Sequence, residues 1–296
     1  MVQEMASLGF QHVELSHGIR IPLVPGILRA VDEGLVTITS THNFCPLPTG
    51  TDRAAPNLFQ PSAAGRQELE QWQIHTRRSL DFAARVRARV LVCHLGRVEF
   101  FWFHPARAVE RYLRHHPGAG RNPADARFRA VCEKSVARLR HRLPPFWDRV
   151  RASVAEVIAY AQEKGVKLGF ENRERFEELP LDADLADWLG ELGPDAPVGY
   201  WHDTGHADIK EAMGLIDHQN QLRTLAPHTL GFHLHDVSEH GRDHQAIGQG
   251  HIDFAMVSQF WRPEHLLTIE LSPRVPYEEV QASQRRIASL IPEFPS

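Results

Sequence analysis

Apolar positions along the chain gather into short runs separated by longer amphipathic stretches. His12–Leu15, Val36–Thr41, Val90–His94, Lys167–Glu171, Val198–Asp203, Leu230–His235 and Leu266–Leu271 are brief and mostly apolar, as strands buried on both faces should be. Gln67–Ala84, Arg151–Lys164 and Tyr277–Leu290 carry helical periodicity instead. In the second of these, Val154, Ile158 and Ala161 share a face, and Gly165 stands where a C-cap belongs. Strand alternating with helix predicts βα units and a parallel sheet. Met1–Leu8 reads as the end of a helix, Gly9 as its cap and Phe10–Leu15 as the following strand. Seven strands are counted where a closed α/β barrel needs eight, so the expected fold is a TIM (β/α)8-type barrel whose first strand is absent or irregular.

One stretch breaks the alternation. Residues 97–145 hold Phe100-Phe101-Trp102-Phe103, a turn at Pro117–Gly120, and helical text rich in arginine (Arg127, Arg129, Arg138, Arg140, Arg142). We read it as an insertion after the strand ending at His94, on the active-site face of one domain spanning 1–296. Its aromatic run fits a lid, a subunit contact or a satellite core under a long loop.

Composition adds exclusions. At 296 residues, 42% hydrophobic and 24% charged, the chain is ordinary globular protein. Lys+Arg of 33 against Asp+Glu of 37 leaves a net charge of −4, which argues against a nucleic-acid partner. No basic stretch precedes an apolar leader and no run approaches the roughly 18 apolar residues of a membrane span, so a cytoplasmic protein without a membrane partner is expected. The three cysteines, Cys45, Cys93 and Cys132, lack CxxC spacing, and neither a disulfide framework nor a thiolate zinc site is indicated. Nineteen histidines are the informative excess, because imidazole is the commonest metal ligand.

Ligand-type residues stand at the strand ends. Val36–Thr41 runs into His42, Leu91-Val92-Cys93 into His94, and Leu168-Gly169-Phe170 into Glu171-Asn172. The later strands run into Asp203, His233 and Glu270. From Glu171 the intervals are 32, 30 and 37 residues, one βα unit each. In a parallel barrel such positions converge at the C-terminal face. Singly, each has a plainer explanation: His42 and His94 as satisfied core histidines, Glu171 as a helix cap, Glu270 as the partner of Arg274. Together they predict a metal site, since charges beside a core are costly unless paired or metal-bound. Carboxylate and imidazole suit Mn, Mg, Co or Zn.

Glu171-Asn172, Asp203-Thr204-Gly205-His206-Ala207, His233-Leu234-His235-Asp236, Gly248-Gln249-Gly250-His251-Ile252-Asp253 and Ile269-Glu270-Leu271 together resemble the xylose isomerase-like TIM-barrel superfamily. It includes sugar-phosphate isomerases and epimerases, inosose dehydratases and the endonuclease IV group of abasic-site endonucleases. The resemblance implies a divalent metal held by Glu171, Asp203, His233 and Glu270, with Glu171 and Glu270 also exchanging protons with substrate. It implies substrate-binding roles for His206 and His244, and makes His42, His94, His206 and His244 candidate ligands of a second metal. His42, His94 and Arg242 join the candidate substrate contacts. A three-metal endonuclease site expects an aspartate two residues before His244; Arg242 stands there, and a cation beside clustered metal ions should weaken the third site.

The expected activity is a metal-dependent isomerase or epimerase acting on a small sugar, sugar phosphate or polyol through an enediolate, whose oxygens a divalent ion stabilises. The alternatives are an abasic-site phosphodiester hydrolase with two or three zinc ions, a keto-sugar dehydratase or lyase, and a non-catalytic barrel. Homo-oligomerisation is compatible with all of them.

Overall fold

The computed structural model describes residues 2–122 and 124–291; Met1 and residues 292–296 of the expected domain, and Pro123 of the expected insertion, lie outside the described residues. Seven strands follow chain order in the sheet: β1 (His12–Leu15), β2 (Thr37–His42), β3 (Val90–Cys93), β4 (Lys167–Glu171), β5 (Val198–Asp203), β6 (Thr229–Leu234) and β7 (Leu266–Ile269). The helices are α1 (Val2–Ser7), α2 (Val24–Asp32), α3 (Arg66–Arg85), α4 (Ala106–His115), α5 (Ala126–Arg142), α6 (Pro144–Lys164), α7 (Asp182–Leu192), α8 (Thr204–Ala212), α9 (His218–Leu225), α10 (Phe254–Ser258) and α11 (Tyr277–Leu290). This is the βα order of a TIM-type barrel, and the seven expected strands are the seven observed among the described residues.

The chain divides into two compact units. The first comprises Met1–Gly96, Arg149–Glu171 and Asp187–Trp201; the second comprises Arg97–Asp148, Asn172–Ala186 and His202–Ser296. In the first, parallel pairing runs unbroken from β1 to β5, with Leu91 opposite Leu168 and Glu171 opposite Trp201. Leu80 and Ala83 of α3, Leu91 and Val92 of β3, and Phe170 of β4 are all buried there, Phe170 stacking on Trp188 at 5.3 Å. α1 ends at Gly9, whose φ of +93° supplies the left-handed cap that a side chain would resist.

In the second unit β6 pairs with β7, and Leu222, Phe232, Leu234, Ile247, Phe254, Val257, Trp261 and Ile287 form the core. The stretch expected to be an insertion supplies α4 and α5, which close a smaller core of Val109, Ala119, Phe128 and Cys132 against Met213. Of the aromatic run, Phe101, Trp102 and Phe103 are 78%, 86% and 86% exposed, so they do not make the satellite core. α6 begins seven residues before the expected Arg151, because prolines at its first two positions need not donate an N–H.

Candidate metal centre

In the first unit, three buried groups from three strand ends meet. The Glu171 Oε2 atom lies 3.3 Å from His42 Nε2 and 2.8 Å from His94 Nε2. Each imidazole has its other nitrogen on an acceptor: His42 Nδ1 is 3.0 Å from the Asn43 carbonyl and His94 Nδ1 is 3.0 Å from Asn57 Oδ1. Those bonds place the ring protons on Nδ1, so both Nε2 lone pairs face one carboxylate oxygen. Three acceptors converging in a dry site repel one another unless a cation lies among them. The donor set therefore fits a divalent metal.

In the second unit, the Asp-Thr-Gly-His segment is used residue by residue. Asp203 caps α8, its Oδ1 accepting the His206 N–H at 2.7 Å. Its other oxygen, Oδ2, lies 3.0 Å from His235 Nε2, 3.5 Å from His206 Nδ1 and 3.9 Å from His233 Nδ1. Thr204 Oγ1 donates toward the His235 carbonyl (2.8 Å) and accepts the His235 N–H (3.2 Å), tying the helix start to the end of β6. Gly205 leaves room for the His235 ring, which a Cβ there would strike. His206 donates Nδ1–H to the Asn172 carbonyl at 2.9 Å, freeing Nε2 as a ligand.

Asn172 is a clamp. Its amide donates to the Asp203 carbonyl (2.9 Å) and accepts the Asp203 N–H (2.6 Å), satisfying both backbone groups of that residue. Beyond β7, the Glu270 N–H donates to the Leu234 carbonyl (3.1 Å), and Glu270 Oε2 lies 3.0 Å from His233 Nδ1. Asp203 and His233 side chains are fully buried, whereas that of Glu270 is 23% exposed. Glu270 is thus the member of this set that solvent, or a substrate, can reach.

His244 stacks on His235 at 4.3 Å and 11°, with Nδ1 3.1 Å from Asp243 and Nε2 3.7 Å from Glu270. Burial alone would lower its pKa; the Asp243 and Glu270 carboxylates outweigh it and push it up to about 11. Two further ligand groups form in this unit: His235 with His244 and Glu270, and Glu174 and Asp243 with His206. Their ligand atoms lie within 4.8 Å of one another in each group. Arg242, expected as a substrate contact, is exposed, its backbone exchanging hydrogen bonds with Ser238.

The glycine-rich loop after β6 is built around Asp236. Its carboxylate accepts the N–H groups of Gly248 (2.8 Å), Gly250 (2.9 Å), Val237 (2.9 Å) and Ile252 (3.3 Å). A Cβ on Gly250 would collide with that carboxylate, which explains the second glycine. His251 turns to Asp208 on α8 at 3.0 Å, and Arg121 of the expected insertion reaches both.

A family model described as a xylose isomerase-like TIM barrel matches residues 2–262, and the chain belongs to that family. No curated protein matches by sequence. Solved structures show the same fold. A D-tagatose 3-epimerase-like protein superposes with TM-score 0.65 at 16% identity, covering 97% of this chain and 91% of its own. The 3-keto-D-glucoside 4-epimerase of E. coli gives 0.66 at 14%, covering 97% and 92%. D-psicose 3-epimerase of Clostridium cellulolyticum gives 0.63 at 13%, covering 98% and 92%. Among the described residues no helix is long and apolar enough to cross a membrane.

Proposed function

We propose that the chain is a divalent-metal-dependent isomerase or epimerase of a small sugar, sugar phosphate or polyol. Glu171, Asp203, His233 and Glu270 hold the metal, and Glu171 and Glu270 move protons at the substrate. The carrying observation is the convergence of Asp203, His233 and Glu270, two of them fully buried and the third open to solvent. Glu171 is assigned to the metal on its place at a strand end one βα unit before Asp203; within its own unit its Cα pairs with Trp201. The sugar epimerases among the structural neighbours support the same class.

A bound divalent ion supplies positive charge to the oxygens of an enediolate. The chain's own groups do the rest. Glu270 takes the proton from the carbon beside the carbonyl, and Glu171 returns one on the other face in an epimerase. His206 and His244 bind substrate hydroxyls, with His42, His94 and Arg242 as further contacts. Elemental analysis of protein purified without added metal, followed by assay of a ketose panel in deuterated water, tests this. About one Mn, Co or Mg per chain and solvent deuterium in the sugar product are expected.

A second reading, a phosphodiester hydrolase with several zinc ions, is favoured by two specific observations. His42, His94 and Glu171 form a complete ligand group of their own, and Asp243 joins His206 and Glu174 despite Arg242. The net charge of −4 weighs against it, since nucleic-acid affinity rests on phosphate neutralisation. Two or three zinc ions per chain together with nicking of abasic DNA would replace the isomerase reading with this one.

A further inference from the structure

The second unit contains a cavity of about 350 Å³ with no part in the site above. Its walls come from α5 (Leu139, Arg140), the segment leading into α7 (Phe176, Leu181, Asp182), α8 (Lys210) and α9 (Gln221). Lys210 follows Asp203 by seven residues, so along α8 the cavity lies about 10 Å from the proposed ligand.

Two polar groups that line this cavity are buried. Lys210 is 4% exposed, with the carboxylates of Asp182 and Glu178 as its main opposite charges. Gln221 is 3% exposed; its amide nitrogen donates to Asp182 at 2.8 Å, while its Oε1 has no hydrogen-bond partner. An unpaired buried carbonyl oxygen is costly, and a buried cation more so. Both costs vanish if a ligand brings a donor to Gln221 and a group that Lys210 can engage.

The choice of lysine carries chemistry. This chain has 29 arginines and four lysines, and Lys134 and Lys167 are exposed while Lys164 is partly so. A buried arginine stays charged, whereas burial eases a lysine toward its neutral, nucleophilic amine. Burial lowers the Lys210 pKa against the opposing pull of Asp182 and Glu178, and burial raises that of Asp182. The surrounding charge selects the ligand. Asp182, Asp217 and the nearby Glu177 and Glu178 outnumber the cations Arg140 and Arg173, which disfavours an anion, and Lys210 itself disfavours a cation.

We infer that this cavity is a second small-molecule site, taking a small neutral aldehyde or ketone that carries a hydroxyl group, and that Lys210 joins it as an imine. The Nζ lone pair forms the C–N bond while the carbonyl π pair moves to oxygen. Both amine hydrogens leave with that oxygen as water, and the C=N bond remains. Asp182 relays the protons, Gln221 Oε1 accepts the hydroxyl, and Leu139, Phe176 and Leu181 cover the carbon chain.

The test is reductive trapping of the whole protein with glycolaldehyde and cyanoborohydride, mapped by peptide mass spectrometry. The adduct is expected on Lys210 severalfold above each of Lys134, Lys164 and Lys167, and it should fall in Gln221→Leu. Lys210→Arg, which keeps a long side chain but no amine able to form an imine, should leave only the surface adducts. Labelling of the three other lysines with Lys210 unmodified would overturn the inference, and so would an undiminished Lys210 adduct in Gln221→Leu. The adduct should persist after chelator treatment, so failure of the metal reading leaves this result unaffected.

Discussion

Replacing Gly205 by alanine sets two effects against each other in one methyl group. Gly205 is the second residue of α8 with an ordinary helical backbone, and alanine at such a position gains about 1 kcal/mol from helix propensity alone. Its Cβ, however, would stand 2.6 Å from His235 Nδ1 and 3.1 Å from Nε2, where ordinary contact begins near 3.4 Å. That ring cannot slide away. Nε2 faces Asp203 Oδ2 at 3.0 Å, Nδ1 accepts the His244 N–H at 2.8 Å, and His244 stacks over its face. Overpacking costs about 1–3 kcal/mol and a lost hydrogen bond to a carboxylate about 1.5–3 kcal/mol, so the clash wins and a net loss of about 2 kcal/mol is expected. With His235 displaced, Asp203 loses the group that orients it, and divalent-metal affinity should fall about 10–100-fold. Gly190→Ala in α7 is the control, since its Cβ would meet nothing within 4 Å and propensity should act unopposed. Thermal unfolding and competition against a chelator read both effects. If Gly205→Ala melts at or above the parent temperature and keeps its metal affinity, the role given to His235 is wrong.

Glu270→Gln should abolish turnover while metal affinity drops only in part, because Asp203 and His233 stay; full turnover would remove Glu270 from the chemistry. Asp236→Ala strips the acceptor from four backbone N–H groups and should cost about 3 kcal/mol or more in a urea titration. Burial drops the His218 pKa from its ordinary 6.5 to about 4, so the fold keeps this group neutral where the unfolded chain protonates. Its contribution is intact above pH 6.5, is lost as pH falls toward 4, and amounts to about 3 kcal/mol; His218→Asn should flatten that part of the stability profile.

The strands were legible because each is a short apolar run ending in a polar residue, and βα spacing put those residues in phase. β1, β4 and β5 have the limits of the apolar runs, and the other strands shift by one or two residues at one or both ends. What hid from the sequence were roles that depend on backbone meeting side chain. Asn172 gives no hint that its amide will serve as a strand partner to Asp203, since any surface asparagine looks the same. His235 stands two residues after His233 and so shares its face by strand alternation, but it lies one residue past the end of β6, where alternation no longer fixes direction; Thr204 and Gly205 at the helix start make room for it to reach Asp203. Glu174 lies in a loop, where no periodicity marks direction.

Arg242 shows how spacing misleads at a turn. Counting back two residues from His244 lands on a cation, which should weaken a third metal site unless Asp243 takes the place by a register change. Counting assumes an extended chain. His244 instead has φ +54°, in the left-handed region, where histidine is enriched among non-glycine residues. The turn before it is closed by hydrogen bonds between Ser238 and Gly241 and Arg242, with Gly241 also at positive φ, and Asp243 is the residue that meets the cluster: its carboxylate lies 3.1 Å from His244 Nδ1 and joins the group with His206 and Glu174. Arg242 is left pointing to solvent with its backbone held by Ser238. The turn is anchored from outside, for the His244 carbonyl accepts the Ser272 N–H at 2.8 Å, two residues past Glu270. Asp243→Asn should therefore weaken occupancy of any ion held with His206 while Arg242→Ala leaves it unchanged. Equal losses in the two variants, measured by ion titration, would return the aspartate's place to residue 242 and undo this account of the turn.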